Sequence, residues 1–563
     1  MSGSEPEFDA IVVGSGVTGG WAAKELTEKG LKVLMIERGR AIEHQTDYTT
    51  ETVPPWEMPF HGFGDKALYE RDYPIQSKVP SFDEWSQSHF VNDRENPYQT
   101  DPANPFKWTR AYQLGGRSLI WGRQCYRWSD IDFGANAADG HGVDWPIRYR
   151  DLAPWYDHVE EFIGVSGNQD HLEQLPDGRF QPPMAMNAVE KAFKAKIETA
   201  YPTRRLIIGR AAHLTEDKEG RMRCQYRGVC ARGCSFGAYF STQSSTLPAA
   251  RATGRLTLLT DQVVESVTYD PKTKRVTGVR TIDTKTRATG AHTARIFFLC
   301  AGSVNSISVL LRSASESMPH GLANSSGALG LYFMDHALTG ALMANPPGFS
   351  DHGYFGNRPN GILIPRYVNA TEPDPDLLRG FAFQGAAVRR GWGRGKHRVG
   401  IGKEFKKDLR GPGDWMLFLG VYAECLPDAR NRVTLDHKSL DPLGMPQTRI
   451  ELTFRENERK LVARAARDAR EMAALLKAEV LASKEEPGPP GSAIHEMGGA
   501  RMGHDPATSV LNRFNQAHDV PNLFVTDGAA MASSAVQNPS LTYMALTARA
   551  SDHAVAQLKA GRV

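Results

Sequence analysis

Three sets of residues in this chain have types and spacings that could do chemistry. The first is Gly14, Gly16 and Gly19, spaced G-x-G-x-x-G within IVVGSGVTGGWAAKELTEKGLKVLMIE, a stretch that ends on Glu37. Gly14 allows a tight turn, Gly16 lets the backbone approach a pyrophosphate, and Gly19 lets a helix pack closely on a strand. The following helix then aims its free N–H groups and positive dipole end at the phosphates. Glu37 is spaced to accept hydrogen bonds from a ribose 2′-OH, which favours FAD or NAD over NADP. The second set is Cys224, Cys230 and Cys234 in RCQYRGVCARGCSFGAYF. Thiolates this close, with Arg223, Arg227 and Arg232 interleaved, suit an iron–sulfur site whose negative charge the arginines offset. Three free thiols, or one disulfide plus a free thiol, are the alternatives; without a fourth cysteine nearby, a four-cysteine zinc site does not fit. Cys125, Cys300 and Cys425 are scattered and read as buried thiols. The third set is His495, which precedes a glycine-rich turn in AIHEMGGARMG, and Asn538, which follows a strand ending at Asp527 and precedes Pro539 and a helix.

These residues need elements to hold them. Ile11 to Val13 reads as a buried strand, Trp21 to Lys29 as a helix that Gly30 stops, and Val33 to Ile36 as a second strand. Residues 41 to 109 are rich in Pro, Tyr, Trp, Asp and His without sustained periodicity. They read as a long loop excursion, of a kind that often covers sites or docks partners. Asp144 to Gly167 returns to a helical pattern. Successive strands run from Leu256 to Cys300, and strand-rich segments continue from about 336 to 454. RENERKLVARAARDAREMAALLKAEVLA reads as one amphipathic helix, and Glu485 to Ser492 as a linker or sharp turn. At 563 residues the chain exceeds one simple core. A formal charge of +3 gives no reason to propose nucleic acid or an anionic membrane as partner. No apolar run reaches the roughly 18 residues of a membrane-spanning helix. MSGSEPEFDA lacks the basic and apolar regions of a signal peptide, so export would need a partner that carries the signal.

Four further segments complete a pattern: RAYQLGGRSLIWG from Arg110, ARIFFLCAGSVNSISVLL from Ala294, AIHEMGGARMG from Ala493, and VPNLFVTDGAAMASSAVQNPSLTYMALTARASDHAV from Val520. In this order, behind the N-terminal glycine motif, they resemble the glucose–methanol–choline (GMC) oxidoreductases, in the branch of pyranose oxidases and bacterial sugar dehydrogenases. The resemblance covers roughly 1–40, 105–165, 220–340 and 420–563. It implies an α/β (α+β) fold: a Rossmann-like FAD-binding domain assembled from discontinuous segments, plus an antiparallel-sheet substrate domain. On that reading 1–335 is mainly the FAD domain, 336–490 mainly the substrate domain, and 491–563 returns to the FAD domain.

The same resemblance implies FAD as cofactor and His495 with Asn538 as the catalytic pair. It sets Gly115, Gly116 and Ser118 beside the flavin, Asp527 and Thr542 near the ribityl chain and the pyrimidine end of the ring, and the Val264 backbone on the adenine. Ile120, followed by Trp121, stands where some pyranose oxidases carry a histidine that links FAD covalently, so FAD is expected to be non-covalent. The cysteine spacing is similar to that of the family's cytochrome-linked sugar dehydrogenases, which hold a 3Fe–4S cluster. The expected reaction oxidises a sugar or glycoside ring hydroxyl, such as C3 of a glucoside, to a keto-sugar. Neutral His495 takes the hydroxyl proton, Asn538 orients the same hydroxyl, and flavin N5 accepts the hydride. Electrons would pass to an external acceptor such as a cytochrome. A small partner subunit carrying the export signal would make the enzyme periplasmic; otherwise it is cytoplasmic. An oxidase that reduces O₂ to hydrogen peroxide, and a lyase of the same fold, are the alternative functions. Residue type alone also allows Asn538 to be a helix N-cap and His495 to be a buried structural histidine.

Overall fold

The computed structural model describes residues 6–354 and 356–563. Phe8–Val13 and Val33–Ile36 pair in parallel, with Ala10 opposite Val33 and Val13 opposite Ile36. Their near-continuous apolar runs are what a parallel sheet covered on both faces requires. The helix between them, Val17–Glu28, begins directly after Gly16, four residues earlier than the apolar periodicity predicts. Gly14 takes φ +93°, and a Cβ on Gly19 would lie 1.9 Å from the Gly14 carbonyl oxygen. No side chain fits at either position, so the turn and the helix–strand contact both require glycine.

Five parallel strands follow the order Leu256–Leu259, Val33–Ile36, Phe8–Val13, Thr289–Leu299 and Leu523–Val525. Thr289–Leu299 is long enough to serve two sheets. Its first half pairs antiparallel with Arg275–Asp283, which in turn pairs with Gln262–Asp270. The parallel sheet is therefore assembled from distant segments, the discontinuous pattern that the family resemblance implies.

A second sheet has six antiparallel strands, in the order Glu479–Ala482, Ala337–Asn345, Trp415–Ala423, Phe381–Arg389, Ile362–Ile364 and Ile207–Ile208. Its faces divide by the period of two that a pleated strand imposes. Trp415, Leu417, Val421 and Ala423 are buried away from a large cavity, while Met416, Phe418, Gly420 and Tyr422 line it. The Glu456–Ala474 helix packs on this sheet.

That helix is shorter than predicted. The sequence reads as helical through Ala482, but the helix ends at Ala474 and Lys477 turns the chain at φ +53°. Glu479–Ala482 then pairs antiparallel with the edge of Ala337–Asn345, Val480 opposite Ala344. Local composition favours helix there, but an open sheet edge beside Val480 and Leu481 outweighs a weak propensity.

The 41–109 stretch is mostly loop, as predicted. It holds one short helix, Lys66–Asp72, three single 3-10 turns, and a two-residue strand, Gln99–Thr100, paired with Arg449 and Ile450. Val79, Pro80 and Ser81 from this stretch form part of the wall of the large cavity. Among the described residues no helix is long and apolar enough to cross a membrane.

Candidate active site

The cavity between the two sheets measures about 1,280 Å³, more than the ~300–1,000 Å³ of an ordinary small-molecule cleft. It has room for a cofactor and a substrate together. Gly14, Ser15, Gly16, Val17 and Thr18 line it, as do Glu37, Val264, His495 and Asn538. Gly16 is the N-cap of the first helix and offers no side chain to the helix's first amides, which leaves them free for phosphate.

Glu37 is buried on this wall. Its carboxylate accepts from the amides of Ser15 (3.1 Å) and Gly39 (2.8 Å) and from the Ser15 hydroxyl (2.5 Å). The Ser15 hydroxyl oxygen accepts from the Gly115 amide at 2.8 Å, so the second glycine pair is tied to the first turn. Gly116, Ser118, Ile120 and Trp121 line the cavity. Gly115 stands behind them at φ +84°, where the Gln243 carboxamide fills the space of a Cβ. Asp527 lines the cavity and accepts from the Gly302 and Ala529 amides (both 3.0 Å) and the Ser306 hydroxyl (2.5 Å). Burial pushes its carboxyl up to about 6.

Three predicted positions are not on the wall: Gly115, which stands behind it, Gly19 and Thr542. Gly19 lies against the Gly14 carbonyl and serves helix–strand packing. Thr542 is fully buried within the Ser540–Lys559 helix, its hydroxyl 2.8 Å from that of Tyr156, and Ser540 and Tyr543 line the cavity instead. The helix turns Thr542 inward, a direction that motif matching does not specify.

His495 and Asn538, 43 residues apart in sequence, meet at this cavity: Asn538 Nδ2 lies 3.1 Å from His495 Nε2. Gln384 Nε2 donates to Asn538 Oδ1 at 2.5 Å. The N-cap alternative does not hold, because Pro539 occupies that position and the Asn538 side chain faces His495. The backbones of Met334 and Met497 exchange hydrogen bonds of 2.7 and 2.9 Å. This antiparallel register sets residue 336 opposite residue 495, and His336 Nδ1 lies 2.7 Å from His495 Nδ1. Asp335 fastens the turn by accepting from the His495 amide (3.0 Å) and the Gly491 amide (2.9 Å). Glu496 is held by a bidentate bond from Arg117, at 2.9 and 2.7 Å. Burial, with His336 and Arg117 adding to it, keeps the His495 pKa well below the usual imidazole range. The ring is therefore neutral at pH 7. Burial also pushes Asp335 up to about 7, with the Glu496 charge contributing. Sequence reasoning missed His336, Gln384, Asp335 and the Arg117–Glu496 pair, none of which carries a spacing signal.

Cys224, Cys230 and Cys234 are free thiols that line one small cavity of about 20 Å³ together with His213, Arg227 and Tyr239. Only one of the three interleaved arginines serves them: Arg227 lies 3.9 Å from Cys234 Sγ. Arg223 is exposed, and Arg232 stacks over the Trp85 ring at 4.0 Å. Arg123 and Arg221, from outside the motif, supply the other positive charges near the sulfurs. His213 Nε2 is 4.0 Å from Cys230 Sγ. Among the described residues, no three His, Cys, Asp or Glu side chains are grouped to hold a metal ion.

Two family models, both described as GMC oxidoreductase, match residues 8–338 and 427–547. The chain belongs to the GMC oxidoreductase family. It is accordingly an FAD-dependent oxidoreductase, and the cavity described above fits that cofactor. A 2-methyl-1,2-propanediol dehydrogenase of Mycolicibacterium austroafricanum is 28% identical over 98% of this chain and 96% of its own length. The fructose dehydrogenase large subunit of Gluconobacter japonicus is 25% identical over the whole of both chains (100% each). Paromamine 6′-oxidase of Streptomyces fradiae is 27% identical over 96% of this chain and 89% of its own. Pyridoxine 4-oxidase from Mesorbium loti shares the fold, with a TM-score of 0.61 at 16% identity, covering 97% of this GMC chain and 98% of that one.

Proposed function

We propose that this GMC oxidoreductase oxidises a ring hydroxyl of a sugar or glycoside, C3 of a glucoside, to a keto-sugar, with His495 as the base. The observation that carries this is the neutral His495, its Nε2 beside Asn538 on the wall shared by the glycine motif and the antiparallel sheet. Names of relatives support a sugar: fructose dehydrogenase and paromamine 6′-oxidase. The Gly14–Gly16 turn, Glu37 and Asp527 would hold FAD, which would supply an acceptor for the hydride of the carbinol C–H bond. His495 Nε2 takes the hydroxyl proton as that bond breaks. Asn538 holds the same hydroxyl, and Gln384 holds Asn538. NMR of the product from a reactive glucoside tests the position: a carbonyl at C3 is expected, and one elsewhere on the ring refutes that assignment. Peroxide formed in step with turnover in air, without faster turnover on an added acceptor, would favour the oxidase.

A second reading has its own support. The 28% identity to 2-methyl-1,2-propanediol dehydrogenase favours a small aliphatic diol. The substrate panel that closes the Discussion separates the two.

The same reading gives Cys224, Cys230 and Cys234 a 3Fe–4S cluster, which would supply one-electron relay to an external acceptor. Three thiols facing one pocket beside Arg227, Arg123 and Arg221 are a suitable donor set. The sulfurs as they stand are not grouped around an ion, so a cluster would require them to come closer together. Anaerobically purified protein should contain iron and acid-labile sulfide; absence of both refutes the cluster. The name of the Gluconobacter japonicus relative, a large subunit, supports a small partner subunit. Carrying an export signal, that partner would take the complex to the periplasm and a cytochrome acceptor; a chain that stays cytoplasmic with its activity intact refutes the export. Ile120 on the cavity wall supports non-covalent FAD. Acid precipitation should leave the yellow colour in solution, and flavin in the pellet would contradict it.

A further inference from the structure

A base at His495 must present a bare Nε2 to the substrate. Neutral imidazole carries its one proton on either nitrogen, and free histidine prefers Nε2, the wrong one for this task. Something in the fold must therefore set the tautomer.

The contacts of His336 determine it. His336 Nε2 lies 2.9 Å from the Ala535 carbonyl oxygen and 3.2 Å from that of Ser534. Carbonyl oxygens only accept, so His336 Nε2 carries a proton. A neutral His336 then has a lone pair on Nδ1, which sits 2.7 Å from His495 Nδ1. His495 must donate across that contact, which leaves its Nε2 bare. The other side of the ring agrees independently. Gln384 occupies Asn538 Oδ1, so Asn538 turns its Nδ2 donor, not its acceptor, to His495 Nε2 at 3.1 Å. One proton arrangement satisfies every one of these contacts.

We infer that His336 is a positioning residue that holds His495 in the Nδ1–H tautomer and steadies the imidazolium formed when His495 takes the substrate's proton. The inference rests on His495 being the base. Proton capture at Nε2 makes the Nδ1–H bond to His336 charge-assisted, and such bonds are roughly twice as strong as neutral ones. The device works only while His336 is neutral, since a second Nδ1 proton would set two N–H groups against each other. Burial provides for this by holding His336 down to about 4. The ionisable groups facing the pair are Glu424 and Tyr422 on the His336 side, Arg117 on the His495 side, and Asp335 with Glu496 beneath. The two residues that anchor the pair, Ile494 (φ +62°) and Ala535 (φ +51°), both lie in the left-handed region. Strain of that kind persists only where the surroundings over-determine the backbone.

The test compares His336→Leu, which removes the acceptor, with His336→Gln, whose carboxamide oxygen can take over the Nδ1–H bond. Anaerobic flavin reduction at saturating substrate should fall roughly 10- to 100-fold in the leucine variant, the range seen when a metal-bound histidine loses the outer partner that fixes its tautomer. The glutamine variant should recover most of it, and FAD content and substrate affinity should change little in either. In ¹⁵N-histidine-labelled wild-type protein, His495 should show its proton on Nδ1; this readout does not depend on how the variants fold. Wild-type rates in His336→Leu, equally slow rates in both variants, or a proton on His495 Nε2 would overturn the inference. His495→Ala separates it from the reading beneath: if that variant reduces flavin normally, the base assignment itself is wrong.

Discussion

His495→Ala should lower the rate of flavin reduction by roughly 10² to 10⁴, the usual worth of a positioned general base, while FAD stays bound. Asn538→Ala removes orientation alone and should lose less. Rapid-mixing spectroscopy under nitrogen reads both, and a near-normal rate in His495→Ala would remove it from the chemistry. Acid should expose the buried histidines. Unfolded, His336 and His495 titrate near 6.5; folded, His336 is held to about 4 and His495 lies well below its usual range. The folded chain therefore binds fewer protons, so stability is whole above about pH 6.5 and falls as pH drops toward about 4. For His336 the loss approaches about 3 kcal/mol. Asp335, pushed up to about 7, works in the opposite sense by favouring the folded state when protonated. The comparison is therefore wild type against His336→Leu: melting temperatures should converge as pH falls, and parallel curves would contradict the shift. At this scale the sequence was half legible. The order of motifs picked out His495 and Asn538. His336 stayed hidden because a register between distant segments, 159 residues apart, creates its contact. The charge around the cysteines was misread for the same reason, since Arg123 and Arg221 come from outside the motif and two of the interleaved arginines turn away.

Elements were more legible, because periodicity reports burial directly. The N-terminal strand–turn–helix–strand unit formed as its glycines and apolar runs required. Gly19→Ala tests that unit. Its Cβ would meet the Gly14 carbonyl oxygen at 1.9 Å, so helix and strand must separate at a cost of about 1–3 kcal/mol. The purified variant should carry less FAD and melt lower than wild type; unchanged FAD content and melting temperature would mean that the contact relaxes freely. The error at Glu479–Ala482 shows where local reading stops. Ala, Leu, Lys and Glu favour helix on their own, but an unpaired edge at Ala337–Asn345 recruited the segment as a strand. The same limit applies to Thr542, whose direction within its helix only the packed structure fixes.

At the scale of the whole molecule, two sheets of different construction face one cavity, and their chemistry is complementary. The parallel sheet contributes the first helix's N-terminus and Glu37; the antiparallel sheet contributes Gln384, Tyr422 and the apolar wall. The discontinuous assembly was legible from the order of motifs, whereas the shape of the cavity, and hence its substrate, was not. The most direct test of the account is anaerobic mixing of the FAD-loaded enzyme with sugars, glycosides and 2-methyl-1,2-propanediol, following flavin absorbance. The account predicts that at least one sugar or glycoside bleaches the flavin at a rate that collapses in His495→Ala. Bleaching by the diol while no sugar or glycoside acts would contradict it.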